Sequence, residues 1–207
     1  VTRGVVYVAY GEPARAEARA SIASLRQHND LPVSVIAEEP IAGVAHIPFA
    51  DGHPGARWAK LNADRLSPYD DTLYLDADTR VHGDVSNGFA LLADGWDMAL
   101  TASRSQGSAA FWHLSPDDRQ ETYGVVGPIV VQLQGGVLFW RRNEATTRLF
   151  ERWRAEWARY RQQDQGALLR ALYTEPVRVW LLGRPWNGGN LIEHLCGRAK
   201  RWPRDTH

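Results

Sequence analysis

Near the start of the chain, Gly4-Val5-Val6-Tyr7-Val8-Ala9-Tyr10 is a β-rich run that stops at Gly11, and Pro13 sits where a helix can begin. Ala14, Ala18, Ile22 and Leu25 then recur at helical spacing. Asn29-Asp30-Leu31-Pro32 breaks the pattern, and residues 33–37 read as a second strand. Strand, helix and strand in that order restrict the fold severely, because the helix carries the chain back so that the two strands run parallel. Residues 56–66, with Trp58, Leu61 and Leu66 apolar, predict another helix, closed by Ser67-Pro68 and followed by a strand over 72–75. The chain is therefore expected to be α/β, with a central, mostly parallel sheet flanked by helices. Ligands of such sheets collect at the carboxyl ends of the strands, where Tyr10-Gly11 and Asp76-Ala77-Asp78 both fall.

The strand over 72–75 ends in two carboxylates one residue apart. Side chains of a strand alternate between faces, so Asp76 and Asp78 leave the sheet on the same side and can grip one cation. Hard carboxylate oxygens suit Mg²⁺ or Mn²⁺, which complete their coordination with water and substrate phosphates, so a phosphorylated substrate is implied.

The 24 Lys and Arg residues balance 24 Asp and Glu, so the chain lacks the overall positive field of a strong nonspecific nucleic-acid binder. Cys196 is the only cysteine, which excludes an intrachain disulfide framework and a cysteine-rich zinc site and fits a reducing compartment. The apolar runs are short and no basic segment precedes a hydrophobic stretch. The expectation is a soluble, cytoplasmic protein without a membrane anchor.

Residues 103–126 carry no clear period and read as a long excursion over the active edge, and Asp70-Asp71 read as turn residues. Residues 130–140 are strand-like but interrupted by Gly135-Gly136, where the backbone bulges or approaches a ligand closely. Asn143 is placed to cap a helix whose Leu149, Phe150, Trp153, Trp157 and Tyr160 form one apolar face. A helix over 165–172, a strand over Val179–Leu182 and a Gly/Asn/Pro-rich tail follow, in which Trp186-Asn187-Gly188-Gly189-Asn190 reads as a loop expected to shape the donor or acceptor pocket.

Four separated motifs fall in the order found in glycogenin-like retaining glycosyltransferases, a group that includes bacterial galactosyltransferases of lipopolysaccharide synthesis. Lys60-Leu61-Asn62 followed by Tyr74-Leu75-Asp76-Ala77-Asp78-Thr79 resembles the family's basic residue ahead of a metal-binding D-x-D. Gln134-Gly135-Gly136-Val137-Leu138-Phe139 is similar to its N-[AS]-G-V strand, with Gln134 in place of asparagine. Gln163-Asp164-Gln165-Gly166 resembles its D-Q helix start. His194-Leu195-Cys196-Gly197-Arg198-Ala199-Lys200-Arg201-Trp202 resembles its H-x-x-G-x-x-K-P-W signature, departing at Arg201.

The resemblance covers nearly the whole chain and implies a single Rossmann-like GT-A domain over 1–207. Residues 1–102 would form a nucleotide-binding half and 103–207 an acceptor and sugar half. It further implies a metal, Mn²⁺ or Mg²⁺, on Asp76, Asp78 and His194, and a UDP-sugar donor, with glucose or galactose as the sugar. Lys60, Ala77 and Lys200 would contact the donor, Lys200 as a point charge on the diphosphate. Gly197 would let its backbone lie against the phosphates. Tyr10 would stack on the base, and Gly135 and Gly136 would open room for the sugar. Asp164 and Gln165 would sit beside the transferred sugar, with Gln165 at the anomeric carbon, and retention would proceed by front-face attack, an Asp164 double displacement being the minor alternative.

Two other chemistries share part of this pattern. A phosphatase of the haloacid dehalogenase type also places D-x-D after a strand, but it wants threonine or valine four residues after the first acid, where Arg80 stands. A nucleotidyltransferase has no use for the terminal His-Gly-Lys spacing. A non-catalytic module binding sugar nucleotides or glycans is the non-enzyme alternative. For the acceptor the sequence leaves a saccharide, a peptide or a hydroxylated DNA base. Trp112, His113, Trp186 and Trp202 offer stacking faces, and Arg152, Arg154, Arg159, Arg161, Arg198, Arg201 and Arg204 offer basic surface.

Overall fold

The computed structural model describes residues 1–48, 55–104, 111–128 and 130–197. Strand β1 (Arg3–Val8) leads through Gly11 into helix α1 (Glu12–Arg26), with Pro13 in the first turn, and returns as β2 (Val33–Ile36) and β3 (Ala45–Ile47). Two short helices, α2 (Ala56–Leu61) and α3 (Ala63–Leu66), precede β4 (Asp71–Asp76), β5 (Thr79–Val81), α4 (Ser86–Ala93) and β6 (Met98–Ala102). Helix α5 (Pro116–Val126), β7 (Leu133–Arg141), α6 (Glu144–Ala158), α7 (Gln165–Thr174), β8 (Val179–Leu182) and β9 (Ile192–His194) complete it. Seven strands form one sheet in the order β3-β2-β1-β4-β7-β6-β8, and β5 pairs with β9 in a separate ribbon.

The sheet is mostly parallel as expected; β7 alone runs against its neighbours β4 and β6. Its inner strands are apolar on both faces because helices cover both. Val5, Tyr7, Leu73 and Leu75 pack with Ile22, Leu25 and Phe89 of α1 and α4. Val6, Val8, Tyr74 and Leu138 pack on the other side with Phe150, Trp153 and Leu168 of α6 and α7. Each of these side chains, fully buried, contributes roughly 1.5–3 kcal/mol, so the frame around the strand ends is stiff.

Several expectations are met and several corrected. Asn143 caps α6 in a capping box with Thr146, and Leu149, Phe150 and Trp153 form its buried face. The helix expected over 56–66 is broken at Asn62, whose φ of −105° and ψ of 8° leave the helical region. The region 103–126 is not aperiodic throughout, since α5 spans eleven residues from a Ser115 cap. Its fully buried residues are the polar Asp118 and Thr122, while Tyr123 and Val126 are only partly buried against the core, so its inward face is mixed and gives no clear hydrophobic period. Asp71 is not a turn residue: it is fully buried in β4, with Arg141 Nε donating to it at 3.0 Å. Not anticipated were β3, β5, α4 and β6; three-residue strands are too short to show a period, and β6 is not rich in β-branched residues.

Candidate active site

Val8 pairs with Asp76 in register, so β1 and β4 end together at one edge. There an open pocket of about 330 Å³ is lined by Tyr10, Lys60, Asp76, Ala77, Asp78, Gly135, Gly136, Asp164, Gln165, His194 and Gly197, among others. All the site residues expected from sequence therefore converge except Lys200, which lies outside the described residues.

The D-x-D is held by its own backbone and by the end of the chain. Thr79 Oγ1 donates to the Asp76 carbonyl at 2.9 Å, and antiparallel pairing of β5 with β9 sets Thr79 opposite His194. The Leu195 N–H donates to the Asp78 carbonyl at 2.9 Å, and the Gly197 N–H reaches Asp78 Oδ2 at 2.6 Å. His194 Nε2 thereby stands 3.3 Å from Asp78 Oδ1 and 3.6 Å from Asp76 Oδ2.

One ligand atom from each of Asp76, Asp78 and His194 lies within 4.8 Å of the others. Two carboxylate oxygens and an imidazole nitrogen suit a small divalent cation that keeps open positions. The space is also guarded: a Cβ on Gly136 would meet His194 Cε1 and come within 2.7 Å of Asp76 Oδ2. The residues present fit a metal.

Without one, the cluster compensates itself. Burial opposes charge on His194, but hydrogen bonds to Asp78 and Cys196 and the field of Asp76 outweigh it and push the imidazole up to about 10. Burial would raise Asp78, yet the hydrogen bond and charge of His194 and the Gly197 N–H hold it down at about 2.

The other wall carries Lys60, which is buried and bridges two acids, reaching Asp164 Oδ2 at 2.9 Å and Asp76 Oδ1 at 3.4 Å. Burial disfavours its charge, but Asp164 and Asp76 more than restore it and leave the ammonium above its ordinary range. Asp164 is likewise penalised by burial but held below the usual carboxylate range by Lys60 and Arg57. Although Asp164 is the N-cap residue of α7, its side chain makes no capping hydrogen bond. It turns into the pocket instead. Gln165 begins α7, and its Oε1 accepts from Gln132 Nε2 at 3.4 Å.

Gly135 and Gly136 lie where the β6–β7 register jumps from Leu100 opposite Leu138 to Thr101 opposite Gln134, which is the bulge expected from the paired glycines. The Gly136 N–H donates to Gln134 Oε1, so glutamine at the asparagine position closes a local loop.

Sequence reasoning assigned no site role to four contributors and placed a fifth, Asn187, only in a loop that shapes the pocket. Tyr74 donates its hydroxyl to Asp76 Oδ1 at 2.7 Å, and Lys60 lies over its ring at 5.1 Å. Arg57, one turn before Lys60, reaches Asp164 at 3.5 Å. Buried Gln132 joins Gln165, Asn187 meets His194, and Cys196 lines the pocket. Tyr74 and Arg57 had a findable signal, being two residues before Asp76 and three before Lys60, on the same strand face and helix side. Gln132 had none, and for Asn187 the Gly/Asn-rich loop pointed to the pocket but not to the histidine.

The stacking and basic residues divide. Trp112 is 72% exposed, whereas Trp186 is partly buried and packs edge-on against Phe139 of the core at 5.5 Å. Arg154 is buried on Asp64 at 2.6 Å, Arg152 pairs with Glu156 at 2.8 Å and Arg159 with Glu121 at 2.7 Å. The basic face expected along α6 is thus mostly neutralised by its own neighbours. Trp202, Arg198, Arg201 and Arg204 lie outside the described residues.

Among the described residues no helix is long and apolar enough to cross a membrane. No protein-family model matches the sequence, and no curated protein matches it. Solved structures do. A galactosyltransferase, LgtC, in complex with donor and acceptor sugar analogs superposes with a TM-score of 0.63 at 16% identity, over 98% of this chain and 90% of that one. The bifunctional glycosyltransferase WbbM gives 0.62 at 18% identity, over 87% of this chain and 38% of its own. Mouse xyloside xylosyltransferase 1 gives 0.58 at 14%, over 90% and 87%. This chain has the GT-A fold of glycosyltransferases.

Proposed function

We propose that this protein is a metal-dependent, retaining glycosyltransferase that moves a hexose, glucose or galactose, from a UDP-sugar to a hydroxyl of a saccharide or peptide acceptor. The observation that carries the reading is the meeting of Asp76, Asp78 and His194, from opposite ends of the chain, in the pocket of a glycosyltransferase fold. These three residues would hold Mn²⁺ or Mg²⁺, which when bound supplies counter-charge for the departing diphosphate.

The remaining chemistry belongs to the chain. Tyr10 faces the pocket where a base would stack, and the backbone at Gly197 offers close approach for phosphate oxygens. Lys200 adds positive charge to the same diphosphate. Lys60 and Arg57 keep Asp164 ionised and aimed inward, where it accepts from sugar hydroxyls. Gln165 presents a neutral amide beside the anomeric carbon, which stabilises developing positive charge without trapping it covalently. The acceptor proton passes to the leaving diphosphate oxygen on the same face. The neutralised arginines of α6 favour a saccharide or peptide over a DNA base.

The test is nucleotide release from UDP-, GDP- and TDP-sugars, with Mn²⁺ or with chelator and no acceptor added. Metal-dependent release of UDP alone is the expected result. Tight donor binding without any turnover would instead identify a sugar-nucleotide binding module.

A further inference from the structure

We propose that Asn187 is a positioning residue for the metal site, locking His194 in the orientation and tautomer that present Nε2 to Asp76 and Asp78. This rests on the reading of those three residues as a metal site. The nitrogen of His194 that faces the two carboxylates is Nε2. An imidazole that ligates through Nε2 carries its remaining proton on Nδ1, and that proton needs an acceptor in a buried site. Asn187 Oδ1 lies 2.8 Å from Nδ1 and supplies it.

The amide is itself fixed. Asn187 Nδ2 donates to Thr101 Oγ1 at 2.8 Å, and Asn187, Thr101 and His194 are all buried. A chain of hydrogen bonds thus runs from β6 to the loop and on to β9. The loop backbone is tied at both sides of Asn187. Its N–H donates to the Arg184 carbonyl at 3.1 Å, and the Gly188 N–H to the Ile192 carbonyl at 2.8 Å. Arg104 Nη2 donates to the His194 carbonyl at 2.8 Å, so ring and backbone are held from different directions. Partners of this kind, one bond removed from the metal, typically change metal affinity 10- to 100-fold when lost.

The experiment is Mn²⁺ titration of the full chain, without donor, followed by the loss of the free-ion signal in electron paramagnetic resonance. Asn187→Leu, which keeps the volume but removes the acceptor, is expected to weaken binding about 10- to 100-fold. Asn187→Asp, which restores an acceptor, is expected to bind within about threefold of the parent or more tightly. That rescue separates orientation of the histidine from packing of the loop. Wild-type affinity in Asn187→Leu, or equal losses in the Leu and Asp variants, would overturn the proposal. Should leucine prevent folding, Asn187→Ala makes the same comparison. His194→Ala is the control on the site itself: undiminished Mn²⁺ binding there would refute the metal reading and this inference with it, whereas its loss beside an unaffected Asn187→Leu refutes this inference alone.

Discussion

Helix α7 carries two clusters of buried charge, one at its start and one in its middle, and they are built to opposite ends. In the middle, Arg170 is 1% exposed and spends its guanidinium on Glu156 Oε2 at 2.8 Å, Asp118 Oδ1 at 2.6 Å and Thr122 Oγ1 at 2.5 Å. Glu156 meets Arg152 and Arg159 as well. Cations surround the acids there. At the start of the helix, Asp164 shares Lys60 with Asp76, while Asp76 and Asp78 converge on His194 in an open pocket. Acids that crowd together with room between them are arranged for a visitor, whereas acids spanned by a fork of donors hold helices together.

The largest expected effect tests the closed cluster. Arg170→Met leaves buried Asp118 without its guanidinium and takes one of three cations from Glu156; it should cost about 3–5 kcal/mol, read from the urea midpoint, while leaving Mn²⁺ affinity of the folded protein unchanged. An unaltered midpoint would break the comparison on its structural side.

Next come the proposed metal ligands. Asp78→Ala and His194→Ala should each lower metal-dependent nucleotide release at least about 100-fold, with the far-ultraviolet circular dichroism of the parent retained. Full activity in either variant would remove the proposed centre. Gly136→Ala sharpens the point without replacing a ligand. Its methyl group enters the space between His194 and Asp76, so Mn²⁺ binding should weaken about 10-fold or more while the urea midpoint falls by less than in Arg170→Met. Equal Mn²⁺ affinity would mean that the cradle is not where the ion sits.

The smallest effect is in pH. His194 is raised to about 10 in the metal-free fold, so its pairing stabilises fully below its ordinary value of about 6.5 and fades as pH rises toward 10. Asp78, held at about 2, contributes above its ordinary value of about 3.9 and fades only as pH falls toward 2. Melting temperature in chelator should therefore decline between about pH 7 and 9. Saturating Mg²⁺ should flatten that decline, because the imidazole is then already neutral. The Arg170 cluster adds no slope in that range, since guanidinium does not titrate there. Identical profiles with and without Mg²⁺ would argue that His194 is not a ligand.

How much was legible follows from how local each signal is. The β1-α1-β2 unit, the capped α6 and the strand ending in Asp76 declare themselves through short-range patterns of apolar residues, caps and breakers. The buried polar residues of α5 and the burial of Asp71 do not, because their partners, Arg170 and Arg141, are 52 and 70 residues away. Likewise the bulge at Gly135-Gly136 is announced by the glycines, whereas its orientation toward His194 is not.

By itself the sequence determined the α/β class and the D-x-D at a strand end, and the resemblance carried by its ordered motifs implied many of the residues that gather in the pocket. Local periodicity and residue chemistry suffice for the first two, since they depend on neighbours a few positions apart. Only the tertiary structure decided that β9 folds back on β5 to bring Nε2 of His194 within 3.3 Å of Asp78. It also decided that Lys60 faces Asp164 and that Asn187 stands behind the histidine. Contacts across the site reach as far along the chain as the 119 residues from Asp78 to Gly197, and buried polar groups choose among such partners by geometry that no linear pattern encodes.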